Sequence, residues 1–149
     1  MRQYSVLNKA LLAIVISFIS FSAKAQQTYP VKEGDKVRYN MQIDIRDAYL
    51  SGICILSQQG NTVVSSIVNE FGVSMMDFTY NPAKDKVKIR NIIKKLNRWY
   101  IKLVLKRDIK AMLQVMRDGG NEYYDEKYKI RYTFSLNNDF EEQSIHDTE

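Results

Sequence analysis

Five segments with the two-residue periodicity of β-strands follow one another through short turns, and one long helical segment comes after them. In the first segment, residues 36–46, apolar side chains such as Val37, Tyr39 and Met41 alternate with polar ones. The other four strands are predicted over residues 49–56, 62–68, 73–80 and 86–93. Because parallel neighbours need crossover connections of about a dozen residues, strands joined by such short turns must be antiparallel.

The helical segment is predicted to begin after Asn97 as its N-cap and to be stopped by Asp118-Gly119-Gly120-Asn121, with glycine at the left-handed C-cap. Its apolar residues recur three and four positions apart and share one face: Ile101, Val104, Leu105, Ile109, Met112, Val115 and Met116. A final hairpin is predicted from strands 122–124 and 128–136. One helix is then available to cover the apolar face of the sheet. The expected fold is α+β, a curved antiparallel sheet (an incomplete barrel) packed on one long α-helix.

The two ends of the chain are predicted to lie outside the folded domain. Residues 1–25 combine basic Arg2 and Lys9, an apolar run and an Ala-Lys-Ala cleavage site, which is typical of a secretory signal peptide. The apolar run is shorter than the roughly 20 residues of a membrane-spanning helix. We expect a leader at 26–35, a single domain at 36–137, and a disordered acidic tail at 138–149. The expected location is the periplasm or the cell exterior.

Basic residues are concentrated on and before the helix. Residues 84–110 contain eleven Lys or Arg and two Asp, although the whole chain has a net charge of only +5. Four of them, spaced four apart, form one helix face: Arg98, Lys102, Lys106 and Lys110. This face could be simply solvated, or could meet an anionic membrane surface or an acidic envelope protein. Nucleic acid is not an expected partner for an exported protein.

Residues that could carry catalysis are few, and we predict that the protein is not an enzyme. The chain has one histidine, His146 in the tail, and one cysteine, Cys54, inside a strand where it is expected to be buried. We find no spacing typical of a metal site or a cofactor loop. Asp108 stands out because it falls within the apolar helix face. It either accepts hydrogen bonds from the sheet and fixes the helix register, or is a polar point in a ligand cavity.

Four short segments resemble the bacterial lipoprotein-localisation superfamily, the carriers of the LolA and LolB type. They are Tyr49-Leu50-Ser51-Gly52, Asn69-Glu70-Phe71-Gly72-Val73, Lys86-Val87-Lys88-Ile89 and Leu105-Lys106-Arg107-Asp108. The resemblance implies an incomplete antiparallel barrel closed by helices, with a cavity that holds acyl chains.

These observations lead to two functional hypotheses. In the first, an exported, non-enzymatic protein of the bacterial envelope holds a lipid acyl chain or other apolar ligand between sheet and helix, in lipid or lipoprotein trafficking. The residues expected to line that cavity are Met41, Ile43, Met75, Phe78, Asp108 and Met112. Methionine suits a variable apolar ligand, but it also fills ordinary cores. In the second, the core is filled and the protein is an envelope interaction module that uses its basic helix face or a sheet edge.

Overall fold

Seven antiparallel strands and one α-helix make up the part of the chain that the structure, a computed structural model, describes: residues 26–45 and 48–138. The strands are β1 (Lys36–Ile45), β2 (Ala48–Gln59), β3 (Thr62–Val68), β4 (Ser74–Asn81), β5 (Lys86–Ile92), β6 (Glu122–Asp125) and β7 (Ile130–Leu136), and the helix is α1 (Trp99–Arg117). The predicted signal peptide, His146 and the tail from residue 139 onward lie outside the described residues.

The strands form one curled sheet in the order β5-β4-β3-β2-β1-β7-β6, and every neighbouring pair is antiparallel. The sheet therefore ends at β5 on one side and β6 on the other. Helix α1 contacts both of these edge strands and covers the opening between them. This arrangement confirms the predicted α+β fold, an incomplete antiparallel barrel packed on one long helix.

The alternating pattern of β1 has the expected structural result. Its apolar residues, among them Val37, Tyr39 and Met41, are buried on the inner face, whereas Asn40 and Gln42 point outward. On α1 the predicted face supplies Leu105, Ile109, Met112 and Met116 to the same core, and Leu113 joins them. The sheet and the helix thus share one interior.

The start of α1 differs from the prediction. Asn97 is not the N-cap, because its N–H donates to Lys94 O and closes a 3₁₀ turn over Lys94–Leu96. Arg98 occupies the cap position with extended backbone and without a side-chain hydrogen bond to the helix. The end of α1 matches the prediction, since Gly119 adopts a left-handed φ of 79° and its N–H donates to Met116 O.

The final hairpin also differs in detail. Asp125 was predicted in the turn, but it is the last residue of β6 and is buried. Its Oδ1 accepts the N–H groups of Lys127 and Tyr128 at 2.9 and 3.2 Å, which fixes the turn that follows. Tyr128 was predicted within the last strand, but it lies in this turn and is 42% exposed.

Glycine is required at one position in the middle of the sheet. A Cβ atom on Gly52 would lie 2.2 Å from the carbonyl oxygen of Val68. This close approach occurs where β3 ends and its pairing with β4 shifts register between Ile67 and Val68. Gly52 therefore lets β3 cross close to β2 as the sheet curls.

Candidate binding surface

A buried polar cluster joins α1 to the β6–β7 hairpin. Tyr132 Oη donates to Asp108 Oδ2 at 2.8 Å, and Arg107 Nη2 donates to Asp108 Oδ1 at 2.8 Å. The same Arg107 guanidinium forms an ion pair with Asp125. Asp108 is fully buried, Asp125 is nearly so, and Arg107 is about half exposed. One cation thus bridges two buried carboxylates that come from different elements.

The electrostatics of this cluster follow from burial. Burial raises the pKa of Asp108 above the usual range of an aspartate, and the hydrogen bonds from Arg107 and Tyr132 oppose that rise. Burial and the nearby Asp108 carboxylate also raise the pKa of Tyr132. All three side chains are used in holding the helix to the sheet. Asp108 therefore matches the first of its two predicted roles, an acceptor of hydrogen bonds from the sheet.

The residues predicted to line a ligand cavity all border the interior between sheet and α1. Met41, Ile43, Phe78 and Met112 are buried, Phe78 and Met112 completely, and Met75 is half-buried. They are brought together as neighbours in one packed core. The prediction that an acyl chain lies among them stays a prediction.

Three hollows open elsewhere on the described part of the molecule. One of about 540 Å³ is bounded by the leader, Pro82 and Arg117, and one of about 250 Å³ lies beside Leu136. A third, of about 450 Å³, lies among residues of β1, β2 and β7 and includes Met41 and Glu70. Apart from Met41, the predicted cavity residues line none of these three.

The predicted basic face of α1 is divided by the structure. Lys110 Nζ lies 2.5 Å from Asp85 Oδ2, so this lysine is bound to the β4–β5 turn. Arg98 and Lys106 are exposed, and Lys102 is half-buried. Of the four residues of this face, Arg98, Lys102 and Lys106 therefore form no ion pair with a described residue.

The antiparallel topology places three connections at one end of the sheet. β3 ends where β4 begins, β5 ends beside the start of β4, and β7 begins opposite the end of β1. The β3–β4, β5–α1 and β6–β7 connections are consequently at the same end of their strands, together with the start of β2 and of α1. The pairing of β2 with β3 begins only at Ile53, so the β1–β2 hairpin extends five residues beyond the end of β3.

Large apolar side chains are exposed at this end. Of the eight large hydrophobic residues that are exposed in the described chain, seven lie here and the eighth, Val31, lies near the opposite end. Phe71 is 80% exposed and Trp99 is 75% exposed. We call this surface the apolar end and define it by Tyr49, Phe71, Val73, Trp99, Tyr100, Leu103 and Tyr128.

Sequence reasoning missed the apolar end. Periodicity assigned the inward face of α1 correctly apart from Leu113, yet the large residues outside that face, Trp99 and Leu103, were not singled out. Their position next to Arg98 and Lys102 was the available signal. Phe71 and Val73 gave no signal of this kind, because only the strand pairing places the β3–β4 connection beside the start of α1.

The cysteine is placed as predicted. Cys54 is fully buried in β2 with its Sγ 3.5 Å from Ser65 Oγ, and burial raises the pKa of the thiol to about 11. Within residues 26–45 and 48–138, no three His, Cys, Asp or Glu side chains are grouped so that they could hold a metal ion. None of the helices in that same part of the chain is long and apolar enough to cross a membrane.

Comparisons with protein-family models, with curated proteins and with solved structures find no match for this chain. The likeness to lipoprotein-localisation carriers therefore stays a resemblance of short sequence segments. We therefore base the functional proposal on the apolar end.

Proposed function

We propose that this protein is an exported, non-enzymatic lipid-binding protein that docks on the surface of a bilayer through its apolar end. The observation that carries the proposal is the concentration of exposed large hydrophobic residues at one end of the sheet. Exposed apolar residues that occur singly need no explanation, but a cluster of them marks an interaction surface.

The kinds of residue at the apolar end favour a bilayer. Trp99, Tyr100 and Tyr128 carry aromatic rings with a polar group, the type of side chain that is enriched at the headgroup level of membranes. Phe71 and Leu103 are purely apolar and highly exposed. Rings at headgroup depth with apolar side chains reaching further in are typical of interfacial binding.

The arrangement of these residues also favours a flat partner. They come from the start of β2, from the β3–β4 and β6–β7 connections and from the first turns of α1, and Phe71 and Trp99 project with most of their surface in solvent. Side chains that protrude from several elements at one end can enter a planar interface together. A peptide ligand would instead be expected to lie in a groove with apolar walls.

An acyl chain between sheet and α1, the first hypothesis from the sequence, stays a prediction. Such a ligand would have to displace side chains such as Phe78 and Met112, which have no exposed surface. Docking at the apolar end requires no such rearrangement, because the side chains that it uses are already exposed.

Sedimentation with lipid vesicles tests the proposal. We expect the protein, without residues 1–25, to sediment with vesicles of phosphatidylcholine and phosphatidylglycerol. The double variant Trp99→Ser, Leu103→Ser should bind at least tenfold more weakly. Each of the two substitutions removes apolar surface whose full burial is worth roughly 1.5–3 kcal/mol.

The matched control is Val31→Ser, which removes an equally exposed apolar side chain near the opposite end. It should bind vesicles as the wild type does. The proposal fails if the wild type does not sediment with either lipid, or if Val31→Ser weakens binding as much as the double variant does.

A further inference from the structure

We propose that the apolar end selects an anionic bilayer, with the first half of α1 and the connection before it supplying the cations that recognise lipid phosphates. This inference rests on the proposed docking function and names the class of surface that is bound. It is carried by the distribution of charge, whereas the docking function is carried by the exposed apolar side chains.

The first observation is that the exposed cations from Lys94 to Lys106 lack ion-pair partners among the described residues. Lys94, Lys95, Arg98 and Lys106 are exposed, and none of them forms an ion pair with any residue in the described ranges. Four other cations of the helix and the final hairpin are paired: Arg107 with Asp108 and Asp125, Lys110 with Asp85, Lys129 with Glu126, and Arg131 with Glu122. Lys102, Arg117 and Lys127 form no ion pair with a described residue.

The second observation concerns the acidic residues near the same surface. Asp108 and Asp125 are buried and share the Arg107 guanidinium, and Glu126 lies 3.3 Å from Lys129. Within the three connections at this end Glu70 is the remaining acid, and Asp44, near the end of β1, is half-buried. The field that the apolar end presents is therefore positive.

The third observation is the start of α1 itself. Its first turn contains no acidic residue, and no side chain caps it. The positive end of the helix dipole thus points toward the same surface as Lys94, Lys95 and Arg98. Trp99 and Leu103 lie in the same stretch, so apolar insertion brings these cations to headgroup depth.

An acidic protein or a second copy of this chain could also meet a positive apolar surface. A bilayer fits better because exposed cations and exposed apolar side chains are interspersed along one segment, residues 94–106. Protein interfaces concentrate apolar residues at the centre and deplete charge there. An anionic bilayer accommodates the mixture, since acyl chains and phosphates lie only a few ångströms apart in depth.

The test compares two triple variants of equal net charge. Lys94→Gln, Lys95→Gln, Lys106→Gln removes charge at the apolar end. Lys36→Gln, Lys84→Gln, Lys86→Gln removes charge near the opposite end, where β1 and β5 begin. All six lysines are exposed. Binding is measured for wild type and both variants on vesicles of pure phosphatidylcholine and on vesicles with added phosphatidylglycerol, at low and high salt.

We expect the wild type to prefer vesicles that contain phosphatidylglycerol and to lose that preference at high salt. Each lysine near an anionic surface contributes about fivefold to binding, so the first triple variant should bind these vesicles roughly a hundredfold more weakly. The second triple variant should stay within a few-fold of the wild type.

Several outcomes would overturn the inference, and they are distinguishable from failure of the docking function. Equal binding to both lipids, unaffected by salt or by the first triple variant, would refute anionic selection while docking stands. Equal losses in both triple variants would refute the assigned position of the cations. Binding to soluble polyglutamate but not to vesicles, or dimerisation abolished by the first triple variant, would indicate a protein partner instead. Absence of binding to either vesicle would refute docking itself.

Discussion

Tyr132 on β7 donates a hydrogen bond of 2.8 Å to Asp108, a fully buried carboxylate in the middle of α1. This contact connects the helix to the strand that pairs with β1, and Arg107 extends it to Asp125 at the end of β6. The helix that begins at the apolar end is therefore fixed to the sheet by polar contacts as well as by apolar packing.

The buried Asp108 makes stability depend on pH. Because burial raises its pKa in the folded protein, the folded state retains the proton better than the unfolded chain does. The wild type therefore loses stability as the pH rises from the ordinary aspartate pKa through the raised value. Asp108→Asn lacks this titration, so its stability relative to the wild type should improve as the pH rises from 4 to 7. Urea unfolding across this pH range measures the difference.

Asp85 provides a control of opposite sign. Its hydrogen bond from Lys110 lowers the pKa of Asp85, so its contribution is present above the unfolded pKa and is lost as the pH falls. Asp85→Asn should become less stable relative to the wild type as the pH rises. If the two variants shift in the same direction, the environment assigned to Asp108 is wrong.

Arg107 is expected to contribute more to stability than an ordinary surface arginine. Arg107→Met would leave Asp108 and Asp125 buried without their shared cation and should lower the free energy of unfolding by about 2–3 kcal/mol at pH 7. Arg131→Met is the matched control, because Arg131 pairs with Glu122 where both side chains are about half exposed. That change should cost less than about 1 kcal/mol. Equal losses of unfolding free energy in the two variants would show that the burial of Asp108 and Asp125 does not depend on the charge of Arg107.

Gly52 should be harder to replace than Gly120, which lies between α1 and β6. Gly52→Ala places a Cβ 2.2 Å from the carbonyl oxygen of Val68, and backbone must move to relieve the contact. We expect a loss of about 3 kcal/mol in the free energy of unfolding. Gly120→Ala places its Cβ nearest to a side-chain atom, Val115 Cγ1 at 2.6 Å, and not to backbone, so it should lose less. Thermal unfolding of the two variants compares their stabilities. A Gly52→Ala variant as stable as the wild type would contradict the close approach of β2 and β3.

Periodicity predicted most of the fold. The alternation of apolar residues in β1 and their spacing of three and four positions in α1 indicate which face of each element is buried. The period of this burial distinguishes strand from helix. The short turns then required antiparallel pairing. The errors lie at ends, as with Asn97 and Tyr128, where local hydrogen bonds that periodicity does not register decide the boundary.

The candidate surface was predictable only in part. The cations of α1 were visible as a series, but the pairing of Lys110 with Asp85 depends on where the β4–β5 turn meets the helix. Likewise Arg107, which follows Lys106 of the basic face in the sequence, turns toward two buried carboxylates because β6 brings Asp125 beside it. Contacts between residues distant in sequence decide which charged side chains form ion pairs. Such contacts cannot be predicted from the periodicity of a single sequence.

Trp99 allows the most direct test of docking, because it is the single tryptophan of the chain and lies 75% exposed at the apolar end. Its fluorescence should be recorded with vesicles containing phosphatidylglycerol, with and without lipids brominated on their acyl chains. We predict a shift of the emission to shorter wavelength on binding and quenching by the brominated lipids, since the ring enters the interface. Emission unchanged in both respects, under conditions where the protein sediments with the vesicles, would contradict the account.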